Sequence, residues 1–391
     1  MMSHYLEMKK EYADCILFYR LGDFYEMFFD DAKTASRELE LTLTGKDCGL
    51  EERAPMCGVP FHAADSYINR LVSRGYKVAI AEQVEDPKLA KGLVKREVIR
   101  VVTPGTNTNA LSLDEDKNNY LAGVFYSADM FAVALVDVTT GDFLCTQVES
   151  AAQFMDEINK FPIAEIIANH AFLMAPLDLT MMKDKMGISI YTVGDNYFSP
   201  EGSTDIIKKH FGVISLSGLG LEDYSGCIPA VGAVLKYLYE TQREGLEFIN
   251  NITPYSSGKY MIIDSATRRN LELTETMREK NKKGSLLWVL DKTRTAMGAR
   301  RLRDFIEQPL VDEAEIIKRQ DAIADLNGSL MDRDELREYL DPVYDLERLL
   351  ARISYLTANP RDLIAFRNSL EMLPHIRNAM KPFSSPLIAG L

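Results

Sequence analysis

Residues 17–29 read Leu-Phe-Tyr-Arg-Leu-Gly-Asp-Phe-Tyr-Glu-Met-Phe-Phe, an aromatic-rich run that is interrupted at Gly22-Asp23. The run predicts two strands joined by a turn, and side chains along a strand alternate between its two faces. Phe24 and Glu26 are therefore expected to share one face. An aromatic side chain beside a hydrogen-bond acceptor can enter a base stack and contact an unstacked base. This pattern indicates a protein that binds distorted DNA.

A competing interpretation is that Phe24 is one more core aromatic in a segment already rich in aromatic residues. Glu26 argues against it, because a carboxylate buried without a partner is costly. The charge of Glu26 would also repel phosphates and weaken binding to undamaged duplex. A mispaired step is weakly stacked, so an apolar wedge is expected to prefer such a step.

Length and composition exclude several classes of protein. The chain has 391 residues, of which 46% are hydrophobic and 26% charged, which is typical of a globular protein with two or three domains. No apolar run is long enough to span a membrane, so no membrane interaction is expected. The five cysteines are scattered, which indicates reduced cytoplasmic thiols rather than disulfides or a zinc site.

The net charge of −13 is unfavourable for binding nucleic acid, but the charge is unevenly distributed. Residues 88–100 contain one acidic side chain, Glu97, and five basic ones: Lys88, Lys91, Lys95, Arg96 and Arg100. Local charge decides where a phosphate can bind, so the overall charge does not exclude DNA. The alternative is that this basic cluster is simply a solvated face.

The patterning predicts a multidomain protein. Residues 1–105 are expected to form an α/β domain, 106–117 a linker, 118–255 a second α/β domain, and 256–391 an all-α domain. Within the last region, helical periodicity is expected at 278–283, Pro374 is expected to end a helix, and Trp288 is expected in the core.

Several ordered blocks resemble the MutS family of DNA mismatch repair proteins. In addition to residues 18–28, they are 55–62 (Pro-Met-Cys-Gly-Val-Pro-Phe-His), 78–84 (Val-Ala-Ile-Ala-Glu-Gln-Val), 100–106 (Arg-Val-Val-Thr-Pro-Gly-Thr), 263–273, 298–303 and 308–310. The resemblance covers essentially the whole chain. It implies a mismatch-recognition domain, an RNase H-like connector domain and the beginning of a helical core (lever) domain.

The resemblance also implies roles for particular residues and partners. Phe24 corresponds to the intercalating aromatic and Glu26 to the residue that hydrogen-bonds the mispaired base, while Lys95, Arg96 and Arg100 would lie near backbone phosphates. The implied ligand is mismatched double-stranded DNA in a bacterial, nucleoid-associated cytoplasmic protein. The connector would contact a MutL-type protein. The full-length family forms a homodimer in which one subunit inserts its wedge, whereas this chain alone could be monomeric.

One family feature is not found in the sequence. Full-length members end in an ATPase domain with a P-loop, and this chain has no GxxxxGK[ST] motif; neither Gly45-Lys46 nor Gly258-Lys259 is followed by Ser or Thr. We therefore expect no enzyme activity and no cofactor in this chain, with ATP and Mg²⁺ implied only for the ATPase domain. The helical domain is expected to stop before the clamp and the ATPase.

Two other functions remain open from the sequence. One is a structure-specific nuclease that uses the RNase H-like domain, for which Asp137 and Asp142 are the candidate carboxylates, although aspartates at strand ends are usually turn formers. The other is a protein-interaction module that does not bind DNA on its own.

Overall fold

The computed structural model describes residues 1–47, 53–85, 94–109, 113–128 and 130–391. Lys88 and Lys91 of the basic cluster, and positions 110–112 of the expected linker, lie outside the described residues. Within the described ranges, no helix is both long and apolar enough to cross a membrane. We call residues 1–105, 118–255 and 256–391 the first, second and third units.

The first unit is built on a six-stranded sheet. Its strands are β1 (Cys15–Leu21), β2 (Phe24–Phe28), β3 (Thr44–Lys46), β4 (Ala54–Pro60), β5 (Lys77–Gln83) and β6 (Arg96–Val102), in the order β3-β4-β2-β1-β5-β6. β1 and β5 are parallel, and the other pairs are antiparallel. Gly22, with φ of 58°, turns the chain between β1 and β2, which confirms the predicted break.

Helices cover the two faces of this sheet unequally. They are α1 (Met2–Glu11), α2 (Phe29–Leu39) and α3 (Ala64–Val72). Tyr25 and Met27 of β2 point into the core beneath α2 and α3. On the opposite face, Tyr5 of α1 packs with Tyr19 and Phe28. Phe24 remains exposed on that face, so α1 does not cover the end of the sheet that carries it.

The second unit contains another six-stranded sheet. Its strands are β7 (Tyr120–Ser127), β8 (Met130–Val136), β9 (Phe143–Val148), β10 (Ile163–Ala168), β11 (Ser189–Thr192) and β12 (Thr253–Pro254), in the order β11-β10-β7-β8-β9-β12. Its helices are α4 (Ala151–Ile158), α5 (Leu179–Asp184), α6 (Pro200–Phe211) and α7 (Ile228–Thr241). The meander β7-β8-β9 agrees with the alternating sequence pattern, whereas β10 and α6 were not predicted. Most of α7 is buried against β7 and β8.

The third unit is mainly helical. It comprises α8 (Ser265–Asn270), α9 (Leu286–Leu290), α10 (Ala296–Glu307), α11 (Glu313–Gly328), α12 (Leu330–Leu340), α13 (Leu346–Ser354), α14 (Pro360–Met380) and α15 (Pro386–Ala389). Its only assigned bridge among the described residues joins Tyr260 to Leu310.

Three local predictions for the third unit were wrong. Residues 278–283 are not helical, because Lys280 has φ of 48°, outside the right-handed helical region. Pro374 lies inside α14, whose 21 residues continue on both sides despite the hydrogen bond that a proline cannot donate. Trp288 is 48% exposed, because the short α9 turns Leu287 rather than Trp288 into the core.

A buried carboxylate joins the first two units. Glu165 on β10 accepts hydrogen bonds from the Thr103 hydroxyl, from the Gly105 N–H at 2.8 Å and from the Tyr237 hydroxyl at 2.7 Å. Burial raises the pKa of Glu165, and these donors oppose the shift. The segment that leaves β6 is therefore fixed to the second unit by hydrogen bonds, and Gly105 provides the space for this contact.

Arginines of the third unit fix the other end of the expected linker. Arg300 donates to the carbonyl of residue 115 at 3.0 Å, and Arg303 donates to that of residue 116 at 3.1 Å. Arg348 donates to the carbonyls of residues 114 and 117 at 2.9 and 2.6 Å. We call Arg300, Arg303 and Arg348 the arginine cluster; all three are buried. Residues 114–117 are thus held by the third unit.

We predict that Gly105→Ala destabilises the chain by about 1–3 kcal/mol, because the added methyl group overpacks the joint. A Cβ at this position would lie 2.9 Å from the Cβ atoms of Glu165 and Leu121. Gly218→Ala is the matched control, since its Cβ would have no neighbour within 4 Å. Chemical denaturation followed by circular dichroism compares the midpoints. Equal midpoints for the two variants would contradict the overpacking argument.

Candidate nucleic-acid interface

Phe24 lies at the hairpin tip, which we define as residues 21–24. It is the first residue of β2 and pairs with Leu21 on β1 and Pro60 on β4. Its side chain is 46% exposed, which contradicts the interpretation of Phe24 as a core residue. The neighbouring Tyr25 is buried, as alternation along a strand requires. The sheet thus presents an exposed aromatic ring at a fixed position.

Glu26 lies two residues further along β2, on the same face as Phe24, as predicted. Tyr19 and Gly58 are its neighbours on β1 and β4. A Cβ at Gly58 would lie 3.5 Å from Cγ of Glu26, an ordinary contact distance, and 3.2 Å from the carbonyl oxygen of Tyr25, which is tight. One carboxylate oxygen of Glu26 lies 2.5 Å from Nζ of Lys46. The carboxylate is therefore paired, which the sequence did not reveal.

A network beneath the hairpin tip fixes its shape. Arg20 donates through Nε to the carbonyl of Gly22 at 2.5 Å and lies 3.3 Å from a Glu82 carboxylate oxygen. The same carboxylate accepts a hydrogen bond from the Tyr25 hydroxyl, and burial raises the pKa of Tyr25. The Arg20 guanidinium also lies 3.8 Å from the ring centroid of the exposed Phe61. These contacts place Phe24 on a supported turn rather than on a free loop.

The three basic residues predicted to lie near phosphates have different surroundings. Lys95 is exposed and its Nζ lies 2.6 Å from a Glu97 carboxylate oxygen. Arg96 is buried and donates at 2.7 Å to the carbonyls of Arg20 and Val94. The structure thus brings Arg96 to the base of the hairpin tip, where it supports the backbone of β1.

Arg100 is also engaged within the protein. It donates to the carbonyl of Thr106 at 3.3 Å and to the Thr108 hydroxyl at 2.8 Å. Burial lowers the pKa of Arg100. Its guanidinium therefore supports the segment after β6. Of the three residues, Lys95 alone presents its cation to solvent.

The candidate nuclease carboxylates have structural roles. Asp137 is buried and accepts hydrogen bonds from the N–H groups of Asn119 and Thr139 at 2.9 and 2.8 Å. Asp142 accepts a hydrogen bond from the Tyr120 hydroxyl, and its charge faces Asp304 of α10. Across the described ranges, no group of three or more His, Cys, Asp or Glu side chains is arranged to hold a metal ion.

Comparison with known proteins gives consistent matches along the chain. The family model of MutS domain I matches residues 1–110, that of MutS domain II matches 119–253, and that of MutS domain III matches 266–389. Together the three models cover nearly the whole chain, in the order in which the three units occur.

The chain is also similar to curated proteins named DNA mismatch repair protein MutS. The one from Lachnoclostridium phytofermentans is 58% identical over 388 residues, which is 99% of this chain and 42% of the relative. Those from Ruminiclostridium cellulolyticum and Acetivibrio thermocellus are each 52% identical over 99% of this chain and 44% of the relative. The chain thus spans less than half the length of these relatives.

The electrostatic repulsion between Asp304 and Asp142 predicts a pH effect on stability. Burial and then the charge of Asp142 raise the pKa of Asp304 to about 7, Glu307 adds to the shift, and Arg301 and Arg303 oppose it. A carboxyl group whose pKa is raised by folding favours the folded state only while protonated. This contribution is complete below the unfolded pKa of about 4 and is lost as the pH rises through about 7.

We therefore expect Asp304→Asn to become increasingly more stable than the parent chain between about pH 4 and pH 7, with a constant difference above that range. Denaturation midpoints measured across this range test the effect. The exposed Asp223→Asn serves as the control for removal of one carboxylate. A difference for Asp304→Asn that does not vary with pH would refute the assignment.

Proposed function

The chain belongs to the MutS family, with the family's domains I to III in order, and on this basis we propose that it binds mismatched double-stranded DNA through the hairpin tip. The observation that carries the proposal is the exposed Phe24 on a supported turn, with the Glu26 carboxylate on the same face. Phe24 acts as the wedge, and Glu26 contacts the displaced base.

The energetics of a wedge favour a mispair. About half of the Phe24 side chain is exposed, so its insertion removes on the order of 100 Å² of apolar surface from water, which contributes about 2.5 kcal/mol. Unstacking one base step costs a few kcal/mol. In matched DNA these two quantities nearly cancel, whereas a weakly stacked mispair costs less to open. Phe24 insertion therefore favours the mispaired step.

Glu26 adds a polar contact at the opened step. A carboxylate can accept a hydrogen bond from a ring N–H of a displaced base, and a hydrogen bond with an ionised partner is stronger than a neutral one. In a matched duplex no base is displaced, so the carboxylate gains no such bond and keeps the ammonium of Lys46 from pairing with a phosphate. Its effect therefore differs in sign between the two kinds of duplex.

Phosphate contacts in this proposal come from exposed cations. Lys95 remains a candidate phosphate ligand, while Arg96 and Arg100 support the structure around the hairpin tip and the segment after β6. With a net charge of −13, we expect weak binding at physiological salt. A cytoplasmic, nucleoid-associated location accords with DNA as the ligand.

The proposal for the longer protein follows the family resemblance. A MutL-type protein would bind at the second unit, the longer chain would form a homodimer, and ATP with Mg²⁺ would act in a part outside these 391 residues. No observation favours the nuclease alternative, because Asp137 and Asp142 are hydrogen-bonded within the fold. The alternative of an interaction module without DNA binding would be indicated if the affinity of the chain for short duplexes did not depend on salt.

We predict that Phe24→Ala reduces the ratio of matched to mismatched dissociation constants to about one, because the wedge is lost. Fluorescence anisotropy with short duplexes at low ionic strength measures this ratio for the 391-residue chain. Phe305→Ala on α10, which removes another partly exposed phenylalanine, is the control and should keep the ratio. Undiminished discrimination by Phe24→Ala would disprove the wedge. A salt dependence near zero for the parent chain would instead indicate an interaction module.

We predict that Glu26→Ala weakens mismatch selectivity but raises affinity for matched duplex. The substitution removes a charge that repels phosphates and releases the ammonium of Lys46 from its ion pair. The gain on matched duplex should shrink as salt is added, because screening weakens both effects. Titrations at several salt concentrations measure it. An unchanged affinity for matched duplex at low salt would count against this electrostatic argument.

A further inference from the structure

The ion pair between Glu26 and Lys46 connects two strands that are not neighbours. Lys46 lies on the edge strand β3, and β4 separates β3 from β2. The Lys46 side chain therefore passes over β4 before its Nζ approaches Glu26 at 2.5 Å. Gly58 of β4 lies beside Glu26 and has no side chain to block this approach. The Lys46 ammonium is also 5.5 Å from the ring centroid of Phe28, which gives it a second contact.

The two charges differ in their access to solvent. The Glu26 side chain is 17% exposed and that of Lys46 is 32% exposed. A mostly covered carboxylate needs a partner, whereas a lysine with a flexible stem can exchange one partner for another at little cost. Lys46 is therefore the mobile member of the pair, and Glu26 is the member that must remain paired.

We propose that Lys46 is a positioning residue that increases mismatch selectivity through its ion pair with Glu26; this inference rests on the proposed function. In the free protein Lys46 neutralises and orients the Glu26 carboxylate. At a mispair, the displaced base donates a hydrogen bond to Glu26, and the released ammonium binds a nearby phosphate. In a matched duplex no base replaces Lys46, so moving it to a phosphate leaves Glu26 unpaired beside a polyanion. The favourable exchange is thus available only at a mispair.

Two simpler roles for Lys46 make different predictions. If Lys46 only binds phosphate, its removal weakens binding to both duplexes equally and leaves the selectivity ratio unchanged. If Lys46 only holds β3 to the sheet, its removal lowers stability without a specific effect on the ratio. The proposal differs from both of these roles, because it predicts that the effect of Lys46 on the selectivity ratio depends on the presence of Glu26. A double-mutant cycle measures this coupling between the two residues.

The experiment compares Lys46→Met, Lys46→Gln and Lys46→Arg in the parent chain and in Glu26→Gln, with matched and single-mispair duplexes. We expect Lys46→Met to lower the selectivity ratio about three- to fivefold, the upper part of the range for exposed ion pairs. Lys46→Arg should retain most of the ratio. In Glu26→Gln, replacing Lys46 should no longer change the ratio. Lys46→Gln keeps a polar side chain without the charge and serves if Lys46→Met fails to fold.

Lys95→Met is the control, because Lys95 is also a lysine in an ion pair of the first unit, with Glu97, but is more exposed than Lys46. This substitution should weaken binding to the matched and mispaired duplexes by the same factor. Two outcomes overturn the inference while leaving the wedge intact. One is that Lys46→Met lowers the affinity for both duplexes equally. The other is that replacing Lys46 still lowers the selectivity ratio in the Glu26→Gln background. If Glu26→Gln alone leaves the parent ratio unchanged, the role proposed for Glu26 fails, and the inference fails with it.

Discussion

The candidate interface depends on the pairing of β2 with a neighbour on each side. Hydrogen bonds to β1 and β4 fix its register, and a shift by one residue would move every side chain to the opposite face. The native register places Tyr25 and Met27 in the core, and a shifted strand would bury Phe24 and Glu26 in their place. The energy that buries Tyr25 and Met27 therefore also holds Phe24 and Glu26 on the outer face.

This dependence explains why the shared face of Phe24 and Glu26 could be predicted from the sequence. Alternation is a local property of an extended chain, and residues 17–29 contain both the strands and the turn. The partner of Glu26 could not be predicted, because Lys46 comes near it only through the strand order β3-β4-β2. In the sequence, Lys46 was notable only as part of a Gly-Lys pair that lacks the P-loop context. Contacts that depend on the order of strands in a sheet leave no signal in the local amino-acid sequence.

The basic residues show the same limit. A count of charges along the chain cannot distinguish a cation at the surface from one that donates to backbone carbonyls. Arg96 and the arginine cluster are buried, and each donates to backbone carbonyls; Arg300 also pairs with the carboxylates of Asp345 and Glu347. Such contacts suit arginine, which offers several donors in a rigid plane. Basic composition near a motif is therefore weak evidence for phosphate binding, since the adjacent Lys95 and Arg96 end in opposite surroundings, one exposed and one buried.

A wedge can open a base step only if its support resists the opposing force, so the attachment of the first unit matters for the hairpin tip. Glu165 holds the segment after β6, and the arginine cluster holds residues 114–117. A separate contact joins the first and second units. The Tyr191 hydroxyl donates to the carbonyl of Gly75, and Nζ of Lys77 lies 4.1 Å from the Tyr191 ring centroid. Contacts at separate places restrain rotation as well as separation. The first unit is thus joined to the second at two separate places, and the wedge proposed for Phe24 relies on these contacts to hold the hairpin tip in position.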